Sequence, residues 1–446
     1  MNVKRFFAPA PAAPPLADPA EVARVSARWR MLVFASITIG YTIFYVTRLS
    51  PSVAKDAMIS AGVLTVGSAG VLDSVFLGTY AVGKTVNGFI ADRVSARRFF
   101  ATALVISAIA NLAFGLSSAL AIFIALWALN GWVQSVGTPT SGAVMAAWFA
   151  PRELGTRYSI WSMAHHLGEG LTFVMTAHLI GAATAAGAGE HAWRAAFVGP
   201  ALLALAVGVV LYRTLADGPA SKGLPAPAEP HTANATLGTL QLDVLRNPWI
   251  WVCGVASGLL YVSRYAINNW GVFYLQKQCG YTIQEAGGAL SIFPIVGIAG
   301  TLLAGPISDR IGGRRVPVAL AYGILLCGAL AVFYSCGPGE PWRVRISLAC
   351  GGFAMGGLLA FLGGLIAMEL CSKRAAGAAL GIVGGFSYLG AGLQSLASSA
   401  LIDGGPVAYD FSRAKWLWLG APALAIALTV ALWEAERSNR ARAATL

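Results

Sequence analysis

Tyr45-Val46-Thr47-Arg48 returns in the second half of the chain as Tyr261-Val262-Ser263-Arg264, and both tetrads end in an arginine set inside a long apolar run. Arg30 and Arg246 open those runs, so each internal arginine lies the same distance past its flanking one. A guanidinium at membrane depth costs on the order of a few kcal/mol, which makes such a residue a candidate for function. The repeat extends to Gly88-Phe-Ile-Ala-Asp92-Arg93-Val-Ser-Ala-Arg97-Arg98, matched by Gly305-Pro-Ile-Ser-Asp309-Arg310-Ile-Gly-Gly-Arg314-Arg315. The chain is two copies of one plan, with Arg48 and Arg264 in register.

Of the 446 residues, 57% are hydrophobic and 11% are charged. That leaves too little charge to cover a water-soluble surface, so the composition predicts an all-α polytopic membrane protein in contact with the lipid bilayer. Twelve transmembrane helices are expected, as two pseudo-symmetric six-helix bundles. The formal charge of +12 reflects topology, because Lys and Arg gather in the loops on the N-terminal side. This asymmetry predicts both termini in the cytoplasm and the chain in the cell's inner (plasma) membrane. It argues against a nucleic-acid surface. No phosphate-cradling P-loop, nucleotide motif or nucleophile–base arrangement occurs, so neither ATP drive nor enzyme catalysis is expected, and no cofactor. A monomer is expected. All six cysteines fall in the second half without metal-ligand spacing, so no metal is expected; Cys279 and Cys336 either bridge on the outer side or fill apolar space.

Residues 1–27, rich in Ala and Pro, read as a flexible cytoplasmic tail, and 28–215 as the N-terminal six-helix bundle. Residues 216–246, with Pro219, Pro225, Pro227 and Pro230, read as a cytoplasmic linker. The C-terminal bundle is expected over 247–436 and a second cytoplasmic tail over 437–446. Helix 1 is expected over about residues 31–53, helix 4 over 120–148 and helix 5 over 154–180.

Two guanidiniums in register offer planar forks of donors, which suit a phosphate or another compact dianion better than a sugar or a cation. Each could instead pair with an acid, but the copies carry symmetric arginines without symmetric acids. Related halves place equivalent residues near the midplane, where transporters bind substrate. Lys84 in helix 2 either snorkels to the interface or completes the cationic pocket. Asp73, three turns earlier on the same face, is out of its reach along one straight helix but open to alternate pairing during a conformational change, and with His166 and Glu169 it is a candidate for proton coupling. His165, His166 and Glu169 break an otherwise neutral helix 5; His165 and Glu169, four apart, either answer to a proton or to substrate charge, or simply orient the helix. Tyr41, Tyr45, Tyr80, Tyr261, Tyr265 and Tyr388 carry hydroxyls suited to sugar or phosphate oxygens, with Tyr45 and Tyr261 each three residues from its arginine. Asp92, Arg93 and Arg97, with Asp309, Arg310 and Arg314, either anchor and cap helices or form a conformational latch.

The doubled loop motif resembles the major facilitator superfamily. Within it the chain is similar to the organophosphate:phosphate antiporters, from helix 1 to helix 12. The residues that carry this are Gly40-Tyr41 through Arg48, Gly131-Trp-Val-Gln134-Ser-Val-Gly137-Thr-Pro139, Trp161-Ser-Met-Ala-His165, Asn247-Pro248, Tyr261 through Trp270, and Ala375 through Gly390. The resemblance implies exchange of a phosphorylated metabolite, a sugar phosphate or glycerol 3-phosphate, against inorganic phosphate by alternating access. Arg48 and Arg264 match the family's phosphate-binding pair, Lys84 and His165 its helix 2 lysine and helix 5 histidine, and Tyr388 its helix 11 segment. The helix 7 segment looks most like the hexose-phosphate members, which include transporter-like receptors sensing external sugar phosphate for a histidine kinase. Such a sensor kinase is a partner only under that alternative. The departures from the pattern are His166-Leu-Gly168-Glu169 for Asn-x-Gly-Gly, Ala143 for an arginine, Asp73 for a small neutral residue and Asn269 for an aspartate. Together they predict a less positive pocket than the family norm.

Overall fold

Inside lipid every backbone N–H and C=O needs a partner within the protein, so apolar runs of about 20 residues close on themselves as helices. The computed structural model describes residues 3–91, 93–149, 151–225, 237–311, 314–371, 376–405 and 408–444. Its first half contains α1 (Val3–Phe6), α2 (Pro19–Val46), α3 (Ser50–Ser60), α4 (Val66–Ala91), α5 (Ala96–Leu116), α6 (Leu120–Gln134), α7 (Gly137–Trp148), α8 (Pro151–Ala185) and α9 (Ala195–Thr214). Then follow α10 (Leu237–Arg246), α11 (Pro248–Cys279), α12 (Ile283–Arg310), α13 (Arg315–Ser335), α14 (Pro341–Ala360), α15 (Ile366–Glu369), α16 (Ala376–Leu401) and α17 (Ser412–Ala444). A short hairpin, β1 (Asp403–Gly405) with β2 (Ala408–Asp410), precedes α17.

Among the described residues, 11 helical stretches are long and apolar enough to cross a membrane. The remaining expected crossing is α8, which at 35 residues has the length but carries Arg157, His165, His166 and Glu169. The all-helical membrane fold expected from composition is the one observed.

Two expected helices are broken, and proline explains both. Helix 1 stops at Val46 and restarts at Ser50. A proline ring clashes with the carbonyl four residues back, which for Pro51 is Thr47, yet Pro51 itself sits in the first turn of α3, where its missing N–H costs nothing. Helix 4 breaks between Gln134 and Gly137, and Pro139 stands in the same relation to Ser135. Helix α14 passes through a π-turn over Phe361–Leu365 before α15.

Helix ends are capped locally. Asp18 accepts from the N–H groups of Ala20 and Glu21, Asn247 from Trp249, and Thr282 and Glu285 form a reciprocal capping box. At the end of α11 Gly280 adopts φ 72°, a left-handed conformation that stops the helix at little steric cost. The segment before α2, which the sequence reads as a flexible tail, makes defined contacts. Asp217 accepts from Ala10 N, Ser95 Oγ and Arg97 N, while Ala13 N and Leu16 N donate to the carbonyls of Ala220 and Gly223.

By contacts the chain divides into two compact units, Met1–Ser50 with Thr79–Thr172 and Trp193–Thr232, and Pro51–Gly78 with Phe173–Ala192 and Ala233–Leu446. The first is cored by aromatic stacking, with the Phe114 ring 4.3 Å from those of Phe123 and Phe197. The second relies on close backbone approach. A Cβ on Gly300 of α12 would fall 1.9 Å from the Phe353 carbonyl oxygen, and one on Gly352 of α14 would fall 2.0 Å from that of Phe293. Membrane helices gain contact in this way because lipid gives them no hydrophobic drive to associate.

Candidate functional site

In the first unit the site is built on the break between α2 and α3. Ending α2 at Val46 leaves the Thr47 carbonyl without its helical donor, and Asn130 Nδ2 of α6 donates to it at 3.1 Å. Ser107 Oγ donates to Asn130 Oδ1 at 2.7 Å, and Gln134 Nε2 lies 3.1 Å from Thr47 Oγ1 and 3.2 Å from Ser107 Oγ. All four side chains are buried, so the network is a dry frame in which each polar group answers another.

The frame positions Arg48. Its Nε donates to Gln134 Oε1 at 2.9 Å. Its guanidinium carbon lies 4.2 Å from the centre of the Tyr45 ring and 4.5 Å from that of Tyr80, so the plane is held between two phenols. Tyr41 packs against Tyr45 and Trp161 at 5.5 and 4.6 Å between centroids, with its hydroxyl 2.9 Å from Thr138 Oγ1. Lys84 is half-buried on α4, four residues and so about one turn past Tyr80. From α8 the His165 ring comes within 5.8 Å of Tyr45 and 4.0 Å of His166, while His166 and Glu169 are buried. Gly168 permits this approach, since a Cβ there would meet the Thr42 carbonyl oxygen and Tyr45 Cβ at 2.5 Å. Arg48, Tyr41, Tyr45, Tyr80, Lys84 and His165 therefore belong to one cluster.

In the second unit Arg264 is buried at 4% exposure midway along α11, 5.5 and 5.9 Å from the ring centres of Tyr261 and Tyr265. The Tyr388 ring of α16 closes the group at 5.7 Å from Tyr261 and 6.3 Å from Tyr265. The second copy thus repeats the chemistry of a buried guanidinium flanked by phenols.

Asp73 falls outside both clusters and pairs with Lys55, Nζ to Oδ2 2.9 Å. Among the loop residues, Asp92 lies outside the described residues. Arg97 contributes its backbone N–H to Asp217, and Asp309 is bound by Arg315 at 2.6 Å, which also holds Glu369 at 3.0 Å. Arg315 thus joins the two acids of this loop region. Arg314 occupies the N-cap position of α13, and Arg310 ends α12. Cys279 Sγ lies 3.7 Å from the Cys336 carbonyl oxygen, and both thiols are free.

Sequence reading did not single out Thr47, Ser107 or Asn130 for the site, nor Gln134 as the partner of Arg48. Thr47 and Gln134 stand four and five residues before Pro51 and Pro139, which open the next helices, and that spacing was the available signal; Asn130 and Ser107 carried none. Replacing Gln134 with Leu leaves a buried Nε–H of a charged group without its acceptor, a loss of roughly 1.5–3 kcal/mol. On the phosphate-binding role that the sequence leads one to expect of Arg48, Gln134→Leu should raise the half-saturating phosphate concentration at least about tenfold, measured by uptake into proteoliposomes; an unchanged value separates Gln134 from the site.

The Major Facilitator Superfamily model matches residues 30–395. A probable hexose phosphate transport protein of Chlamydia pneumoniae is 31% identical, over 99% of this chain and 100% of that one. The membrane sensor protein UhpC of Salmonella typhimurium is 35% identical, over 87% of this chain and 89% of its own length. Among solved structures, a bacterial homolog of the human lysosomal transporter Spinster superposes with a TM-score of 0.68 at 15% identity, over 92% of this chain and 96% of that one, a likeness of fold. A match of that length, added to the doubled loops and the paired arginine sites, places the chain in the Major Facilitator Superfamily, and within it among the organophosphate:phosphate antiporters.

Proposed function

We propose that this protein exchanges a phosphorylated metabolite, a sugar phosphate or glycerol 3-phosphate, for inorganic phosphate by alternating access, with Arg48 and Arg264 as the phosphate-binding groups. The observation that carries this reading is the buried arginine between phenols in each copy. A guanidinium so held is desolvated and oriented before substrate arrives, and its fork matches phosphate oxygens. The relative named for hexose phosphate transport supports the substrate class. Tyr41, Tyr80, Tyr261, Tyr265 and Tyr388 supply hydroxyls for the rest of the substrate, and Lys84 and His165 add donors. The protein sits in the inner membrane with both termini cytoplasmic and works as a monomer. Radiolabelled phosphate counterflow in phosphate-loaded proteoliposomes is the test: external sugar phosphate or glycerol 3-phosphate is expected to drive efflux.

A second reading follows from the sensor relative. The same pocket would bind external sugar phosphate and report it to a membrane histidine kinase. Tight binding without flux in the counterflow assay favours the sensor and removes the antiporter.

His165, His166 and Glu169 make proton coupling a further part of the proposal, since Glu169 lies four and three residues past the two histidines on α8, a spacing that puts them within reach of one another. Glu169→Gln is expected to flatten the pH dependence of uptake. A profile that keeps the parent's shape ends that role for Glu169.

A further inference from the structure

The second unit holds another charged cluster, which shares no residue with the Arg264 site. Lys55 of α3 and Asp73 of α4 are 1% and 6% exposed, with Nζ 2.9 Å from Oδ2. The same ammonium donates to the backbone carbonyl of Asn269 in α11 at 2.6 Å and lies 3.7 Å from the centre of the Trp270 ring. A carboxylate, a carbonyl and an indole face, from two other helices, therefore surround one cation. Around it the same helices are stitched together again. Asn269 Nδ2 donates to Ser395 Oγ of α16 at 2.8 Å, and Ser74 Oγ donates to the Gly392 carbonyl of α16 at 2.8 Å. A wetter pair, Lys277 with Asp56 at 2.7 Å, joins α11 to α3.

Stability alone accounts poorly for such a cluster. A buried ion pair gives back in attraction about what it costs in desolvation, and apolar replacements of similar volume often do as well; its best-attested use is to select one arrangement over another. Separated without water, each charge would be stranded in a medium that penalises it heavily, so half-open geometries are disfavoured and the element has two states. The Asn269 carbonyl also fixes the polarity of the pair, since it can accept from an ammonium but repels a carboxylate.

We propose that Lys55, Asp73 and the Asn269 carbonyl form a clamp that closes α3 and α4 onto α11 and α16 in one state of the transport cycle and releases them in the other, with Lys55 as the positioning residue. The proposal rests on the alternating-access reading. Its readout needs no transport, so failure of the clamp and failure of that reading are distinguishable.

The test places Ser74→Cys at the α4–α16 contact and follows its modification by a membrane-impermeant maleimide in proteoliposomes of the full chain, with labelling of the six native cysteines as background. With Lys55 and Asp73 intact, modification is expected to be slow. In the Lys55→Met, Asp73→Leu background it is expected to be at least about fivefold faster, because the ammonium that ties α3 to the Asn269 carbonyl and the Trp270 face of α11 is gone. The swap Lys55→Asp, Asp73→Lys keeps an ion pair but sets a carboxylate against the Asn269 carbonyl, so it is expected to label fast as well. A parent-like rate in the neutral variant overturns the clamp, and a parent-like rate in the swap overturns the part assigned to the carbonyl. Should the neutral variant fail to accumulate, Lys55→Gln, which keeps a donor for both oxygens, serves in its place; a faster rate supports the proposal and an unchanged one rejects it.

Discussion

Arg48→Lys is expected to reduce phosphate exchange by roughly 100-fold or more while leaving the protein folded. Lysine keeps the charge and can still sit over Tyr45 and Tyr80, where a cation gains on the order of 0.5–2 kcal/mol. It cannot reproduce the fork. In the parent, Nε donates to Gln134 Oε1 at 2.9 Å, which orients the guanidinium between the two rings, and under the proposed function its other nitrogens meet the phosphate. A point charge has no such division of labour. It also leaves the Gln134 oxygen to compete for the ammonium. Hydrogen bonds to charged groups contribute about 1.5–3 kcal/mol each, so losing one or two in a dry site accounts for a change of this size. Arg264→Lys is expected to behave similarly, since Arg264 is equally buried among its tyrosines. Radiolabelled phosphate counterflow measures both variants, and exchange within about twofold of the parent in both would refute the arginine pair as the phosphate site.

Gly352→Leu is expected to prevent a stable fold altogether. The substituted Cβ would lie 2.0 Å from the Phe293 carbonyl oxygen, which belongs to the backbone of α12 and cannot rotate out of the way. The helices must therefore part, and α12 and α14 lose the tight contact that Gly300 and Gly356 also serve. Overpacking a buried contact costs about 1–3 kcal/mol even where side chains can give, and here the obstacle is main chain on both sides. Gly381→Leu is the matched control, because nothing lies within 4 Å of its Cβ position. Size-exclusion chromatography of the solubilised protein should show the monodisperse peak lost for Gly352→Leu and retained for Gly381→Leu. A parent-like peak for Gly352→Leu contradicts the packing described for this helix pair.

Much of the fold was legible along the chain because lipid is a severe solvent. It demands internal backbone pairing, so apolar runs read directly as helices, and it makes each embedded charge conspicuous. Arg48 and Arg264 stood out on that ground, and Tyr45 and Tyr261, each read as sharing its arginine's helical face, lie beside them, with Tyr80 and Tyr265 against the same guanidiniums. Asp73 was equally visible, but its partner was not. Helix 1 was expected to run on to about residue 53 and end before Lys55. In the folded chain Pro51 opens α3, and the new helix carries Lys55 to Asp73 and α11.

The amino-acid sequence by itself determined the membrane class, the duplicated plan and the two arginines, since hydropathy, repetition and the cost of a charge in oil are properties of residues in order. Only the tertiary structure decided which group holds each charge. Gln134 reaches Arg48 and Lys55 reaches the Asn269 carbonyl across 86 and 214 residues of chain. Contacts of that span depend on where helices break and which faces meet, and neither periodicity nor composition specifies them.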